Sequence, residues 1–178
     1  CSSDLSQEHP IKQKAEIMID HFHKSVIAQR KIDGQARAMV VTDGIERAIQ
    51  YYYAFCEYLE EIKSPYKPII AFSGEKTYNG KKLTEAIMNG FPSSDITDKI
   101  QGDPYRFLIV ADKYQTGYDE PLLHTMYVDK TLFDIKAVQT LSRLNRSHPK
   151  KTDTFVLDFM NNPEDIIEAF STYYKTTV

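Results

Sequence analysis

Apolar residues recur along this chain in two rhythms. From Pro10 the positions Ile11, Ala15, Met18, Ile19, Phe22, Val26 and Ile27 fall three and four apart, which predicts an amphipathic helix running to about Arg30. Gly34 breaks it, and the run Ala38-Met39-Val40-Val41 within residues 37–42 is apolar on both faces, as in a strand buried on two sides. Asp43-Gly44 then leads into a second helix over about residues 45–63, with Tyr and Phe on its inner face. The alternation continues with a second strand at 67–72 ending on Ser73-Gly74, a polar loop, and a helix from Lys81 to about Asn89. Residues 90–104, punctuated by Gly90, Pro92, Gly102 and Pro104, read as loop with one helical turn at most. Strands are predicted again at 106–111, 124–129 and 153–159, and helices at about 134–146 and 163–174. Residues 1–9 are polar and predict a disordered tail, leaving 10–178 as one domain.

Strands alternating with helices, each strand apolar on both faces, imply a three-layer α/β domain: a parallel sheet of about five strands with helices on both sides. In such sheets ligands sit beyond the carboxyl ends of the strands. The loops at 73–76, 112–120 and 129–133 are therefore where chemistry is expected.

Composition narrows the function classes. A length of 178 residues, 42% hydrophobic with twelve Tyr and nine Phe, suits one packed domain. The formal charge of −3 carries no global basic field, so any nucleic-acid contact is local or shared with other parts of a larger protein. No apolar run approaches the roughly 18–20 residues of a membrane span. Cys1 and Cys56 are too few for a disulfide framework, which fits a reducing cytoplasm. The missing initiating Met predicts a fragment of a longer chain, with the mature start of a lipoprotein at Cys1-Ser2-Ser3 as the other reading.

The chemistry centres on Gln139-Thr140-Leu141-Ser142-Arg143-Leu144-Asn145-Arg146, a Q-x-x-x-R-x-x-R spacing. On a helix Gln139, Arg143 and Arg146 project the same way. Two guanidiniums on one face are either solvated and salt-bridged or arranged around an anion, and the planar fork of Arg suits phosphate oxygens. In the loop after the third strand, Lys113 offers a point charge, Thr116 a hydroxyl and Gly117 exposed amides, groups that contact phosphate without reading bases. Asp119, stiffened by Pro121, either binds a ribose or orients an arginine, or simply caps a turn. The phosphate-binding signature G-x-x-x-x-G-K-[ST] is absent: Gly74-Glu75-Lys76-Thr77 and Gly80-Lys81-Lys82 both miss its spacing. His21 and His23 diverge on a helix and predict no metal site, Cys56 falls among aromatics as a core residue, and Asp95, Asp98 and Lys99 lack the support a nuclease centre needs.

Several segments together resemble the second RecA-like motor domain of superfamily 2 helicases, in the form found in the restriction (R) subunit of type I restriction-modification enzymes. They are Ala38 to Thr42 with its following helix (motif IV), residues 107–121 with their K-x-x-T-G-Y-D-x-P (motif V), Met126-Tyr127-Val128-Asp129-Lys130, and residues 139–146 (motif VI). Many relatives carry Thr where this chain has Ala111, which shifts a nucleic-acid contact to Thr116. The resemblance implies a RecA-like fold lacking its own phosphate loop, with ATP and Mg²⁺ held mainly by a first motor domain outside this chain. Arg143 and Arg146 would reach the γ-phosphate across the cleft, Gln139 would support closure, and Asp119 and Gly117 would lie by the nucleotide. Thr116, Lys113, Ser73 and Gly74 would touch the DNA backbone. Implied partners are double-stranded DNA, the first motor and nuclease domains of the same subunit, and the methyltransferase and specificity subunits, all in a bacterial cytoplasm. The complete subunit would be part of an ATP-dependent type I deoxyribonuclease, and the fragment alone inactive. Another superfamily 2 helicase, or a non-catalytic interaction module keeping the motor fold, is the alternative.

Overall fold

The computed structural model describes residues 2–111, 120–130, 149–151 and 153–159. In chain order its elements are α1 (Ser2–His21), continued by a π-helical turn over Phe22–Ile27, then β1 (Arg37–Thr42), α2 (Ile45–Glu61) and β2 (Lys67–Ala71). Two short strands follow, β3 (Glu75–Tyr78) and β4 (Lys81–Thr84), then α3 (Glu85–Asn89) and a 3-10 turn at Ser93–Asp95 leading into α4 (Ile96–Lys99). Strands β5 (Tyr105–Ala111), β6 (Leu123–Asp129) and β7 (Phe155–Asp158) complete the described chain. Five strands form one sheet in the order β2-β5-β1-β6-β7, with every neighbouring pair parallel. This is the parallel α/β sheet expected from the unbroken apolar runs.

Successive side chains of a strand point to opposite faces, so each apolar run feeds two cores. Ala38 and Val40 of β1, with Phe107, Ile109 and Tyr127, pack under Met18, Ile19 and Phe22 of the first helix and Ile49, Phe55 and Leu59 of α2. Met39 and Val41, with Leu108, Val110, Met126 and Val128, face the other way, toward Ile96 and Ile100. Burying one such side chain contributes about 1.5–3 kcal/mol. The first core is tightened by Phe107, whose ring centroid lies 4.7 Å from that of Phe22 and 5.1 Å from that of Phe55.

Edge strand β2 would present open backbone groups, and α3 covers them. The Asn89 side chain accepts from Ile70 N at 2.9 Å and donates to Ile70 O at 2.8 Å, while Glu85 Oε2 accepts from Phe72 N at 2.7 Å. A strand edge satisfied in this way is no template for pairing with another chain.

Two boundaries differ from expectation. Residues 81–84 are strand rather than helix: Asn79 (φ 51°) and Gly80 (φ 79°) both take the left-handed conformation of a two-residue hairpin turn, pairing Tyr78 with Lys81. The helix starts only at Glu85, where the Thr84 side chain accepts from Ile87 N at 3.2 Å as an N-cap. Residues 2–9, where polarity predicts a disordered tail, lie within α1. Asp95 and Asp98 sit in the short helical segment that residues 90–104 were expected to allow. The helices expected at 134–146 and 163–174 lie outside the described residues.

Candidate functional site

Parallel strands end together. The register pairs Thr42 at the end of β1 with Ala111 of β5 and with Asp129 of β6, so these three residues share the carboxyl edge of the sheet. Thr42 is fully buried and its hydroxyl donates to Val110 O at 2.8 Å, closing the seam between β1 and β5. Ala111 is 3% exposed.

The charged centre of this edge is Asp129, whose side chain is wholly buried. The Tyr51 phenol donates to its Oδ2 at 2.5 Å, and Lys14 Nζ lies 3.2 and 3.4 Å from its two oxygens. Arg47 Nη1 lies 3.7 Å from Oδ2. Local structure explains the convergence. Helix α2 starts at Ile45, directly beyond the carboxyl end of β1, which puts Arg47 in its first turn and Tyr51 four residues later on the same face. Lys14 reaches the same carboxylate from α1. Burial, and then the hydrogen bond to Asp129, push the Tyr51 phenol well above its ordinary value of 10, so it remains a donor throughout the physiological range.

A buried carboxylate without partners is expensive, and here two cations and a phenol offset that cost. The group has a surplus of one positive charge, carried by side chains that still reach solvent: Arg47 is 43% exposed and Lys14 23%. That donor set suits an anion such as a phosphate at the carboxyl edge.

Ser73 and Gly74 also lie here, exposed just past the end of β2. Gly74 takes φ 76°, a left-handed conformation that turns the chain out of the sheet and into β3. Of the residues singled out from sequence, these two belong to the described edge. Lys113, Thr116, Gly117, Asp119, Gln139, Arg143 and Arg146 lie outside the described residues. Immediately after the first of those segments, Glu120 is buried and accepts from Gln101 Nε2 at 2.8 Å and from Leu122 N at 3.0 Å.

His21 and His23 diverge as expected. His21 Nδ1 pairs with the Tyr127 hydroxyl at 2.7 Å, whereas His23 Nδ1 donates to Ile19 O at 2.8 Å and its Nε2 meets Ser64 Oγ at 2.9 Å. Among the described residues no group of three or more His, Cys, Asp or Glu side chains is placed to hold a metal. Cys56 is half-buried in the wall of a cavity of about 450 Å³ formed with Tyr52, Tyr66 and Tyr105, and burial pushes its thiol up. No described helix is long and apolar enough to cross a membrane.

Sequence reasoning missed the partners of Asp129, because Lys14 is 115 residues away along the chain. One signal pointed to the aspartate itself: a carboxylate ending an apolar strand has to be paired if the strand is central.

Comparison with known proteins places the sequence and the fold. Residues 75–161 match the family model described as type I restriction enzyme subunit R domain 3. A Methanocaldococcus jannaschii protein named for the MjaIXP type I restriction enzyme endonuclease subunit is 27% identical over 180 residues, which take in 95% of this chain and 16% of that protein. The type I restriction enzyme HindI endonuclease subunit of Haemophilus influenzae is 29% identical over 82 residues, 44% of this chain and 8% of that protein. The chain thus spans a minor part of the length of these relatives. In fold it is similar to the crystal structure of the C-terminal part of the Fun30 ATPase domain, with TM-score 0.54 over 88% of this chain and 44% of that one, at 10% identity. Over residues 75–161 the chain is thus similar to domain 3 of type I restriction enzyme R subunits, and the five-stranded parallel sheet of its described residues has the fold of an ATPase domain.

Proposed function

We propose that this domain is the second half of an ATP-driven DNA translocase motor in a type I restriction endonuclease R subunit. The observation that carries the reading is the carboxyl edge of the sheet. There Asp129 gathers Lys14, Arg47 and Tyr51, and the chain next runs into the segment bearing Gln139, Arg143 and Arg146.

In this reading ATP and Mg²⁺ lie between this edge and a first motor domain, which holds most of the nucleotide. ATP supplies the phosphoryl group whose transfer to water drives movement. Arg143 and Arg146 bind the γ-phosphate oxygens from this side, and Gln139 couples their approach to domain closure. Asp119 and Gly117 lie by the nucleotide, while Thr116, Lys113, Ser73 and Gly74 hold the DNA backbone without reading sequence. Duplex DNA is drawn past a complex of nuclease domain, methyltransferase and specificity subunits before cleavage in the cytoplasm, and this domain alone is inactive.

The test is ATP hydrolysis by the full-length subunit assembled with its partners on DNA. An arginine finger is worth on the order of 10³–10⁵ in rate. Arg143→Ala or Arg146→Ala is therefore expected to reduce DNA-stimulated ATPase to background. Near-normal turnover in both variants would sink the reading.

A further inference from the structure

Among the described residues, strands β3 and β4 pair only with each other, outside the main sheet. An isolated two-stranded hairpin is marginal in water, so this one needs anchoring. Leu83 supplies part of it at 8% exposure, and Tyr78 packs on Tyr53 of α2 with ring centroids 6.0 Å apart. Edge strand β2 is already covered by Asn89 and Glu85, so the ribbon is not needed to protect it. What the hairpin does present is charge: Lys81 and Lys82 are exposed, Lys76 is partly exposed, and Glu75 is its one acid. By register Lys76 and Lys81 share the face of Tyr78, while Lys82 shares the other with Thr77, so cations flank both sides of the Asn79-Gly80 tip. The ribbon starts at Gly74, directly after the carboxyl edge of the sheet, in a chain whose formal charge is −3.

We infer that the β3–β4 hairpin is a DNA-backbone contact, with Lys76, Lys81 and Lys82 bound to phosphates beside Ser73 and Gly74. The inference rests on the motor reading above and extends its DNA contact onto a second element. Lysine suits the task because an ammonium is a point charge that takes phosphate in many geometries, as a protein moving along DNA requires. The exposed ribbon offers no Arg with which to read base edges.

Each phosphate contact contributes about 0.9 to the slope of log K against log salt on duplex DNA. The experiment measures that slope for the full-length subunit assembled with its partners, using a duplex of fixed length, in the wild type, Lys81→Ala/Lys82→Ala and Lys81→Arg/Lys82→Arg. The alanine pair is expected to lower the slope by about 2 and to raise the DNA concentration giving half-maximal ATPase, whereas the arginine pair keeps the wild-type slope. Both lysines are exposed, so the fold tolerates the changes. An unchanged slope in the alanine pair overturns the inference. So does loss of subunit assembly without a change in slope, which would make the ribbon a protein–protein surface. If instead Arg143→Ala and Arg146→Ala retain DNA-stimulated ATPase, the motor reading falls, while the slope still decides whether the ribbon meets DNA.

Discussion

The phenol of Tyr51 donates a 2.5 Å hydrogen bond to the buried carboxylate of Asp129, tying the middle of α2 to the end of β6. Tyr51→Phe leaves that oxygen with Lys14 and Arg47 and is expected to cost about 1–2 kcal/mol. Asp129→Ala strands two cations and leaves Tyr51 without its acceptor, at an expected cost of about 3 kcal/mol, the lower end for a broken buried pair because Arg47 and Lys14 reach solvent. Urea midpoints of the chain measure both. Equal losses in the two variants would mean that the hydroxyl, and not the charge, carries the node.

Asn89 is the second structural prediction. Asn89→Ala leaves both the N–H and the carbonyl of Ile70 unmet on an edge strand, and about 1–3 kcal/mol is expected to be lost. The opened edge also becomes a template for pairing, so the variant should scatter light on concentration where the wild type stays clear. A variant as stable and as clear as the wild type would mean that water replaces the side chain at no cost.

The pH dependence of stability has two steps. Burial, with a smaller push from His124, holds His21 below its ordinary value of 6.5; burial also lowers His124, against the opposing hydrogen bond to Asp153. Both histidines take a proton in the unfolded chain near pH 6.5 but in the folded chain only at lower pH, so the unfolded state binds more protons there and stability falls as pH drops below 6.5. Asp153, held below 3.8 chiefly by the Lys31 hydrogen bond, and Asp103, held down chiefly by that of Arg106, act at the acid end. Their contribution is present above 3.8 and is lost as pH falls through their folded values. Urea midpoints should therefore decline from pH 6.5 downward and again below 4, roughly. His21→Gln/His124→Gln should flatten the upper step and, because His124 also helps hold Asp153 down, weaken the acid step by less. A midpoint that stays level between neutrality and the acid step would contradict the assignment.

Much of the fold was legible in the sequence, and the reason is burial on two faces. A strand covered on both sides has no polar positions to spare, so Ala38-Met39-Val40-Val41 and Phe107-Leu108-Ile109-Val110 stand out as unbroken apolar runs at nearly their observed bounds. The hairpin was hidden because Leu83 is the one buried residue of its two strands, so no apolar run marks them, and only Asn79-Gly80 advertised the turn. Place along the chain also served for part of the candidate site. Ser73-Gly74 was read from its place after a strand and does lie at the carboxyl edge.

By itself the sequence determined the parallel α/β class, most of its strand positions and the resemblance to type I restriction R subunits, because apolar runs and local motifs are properties of neighbours along the chain. Tertiary structure alone decided the strand order β2-β5-β1-β6-β7, the covering of β2 by Asn89 and Glu85, and the meeting of Lys14, Arg47 and Tyr51 on Asp129. Those contacts join residues up to 115 positions apart, and what specifies them is the need of a buried carboxylate for partners, which leaves no pattern along the chain.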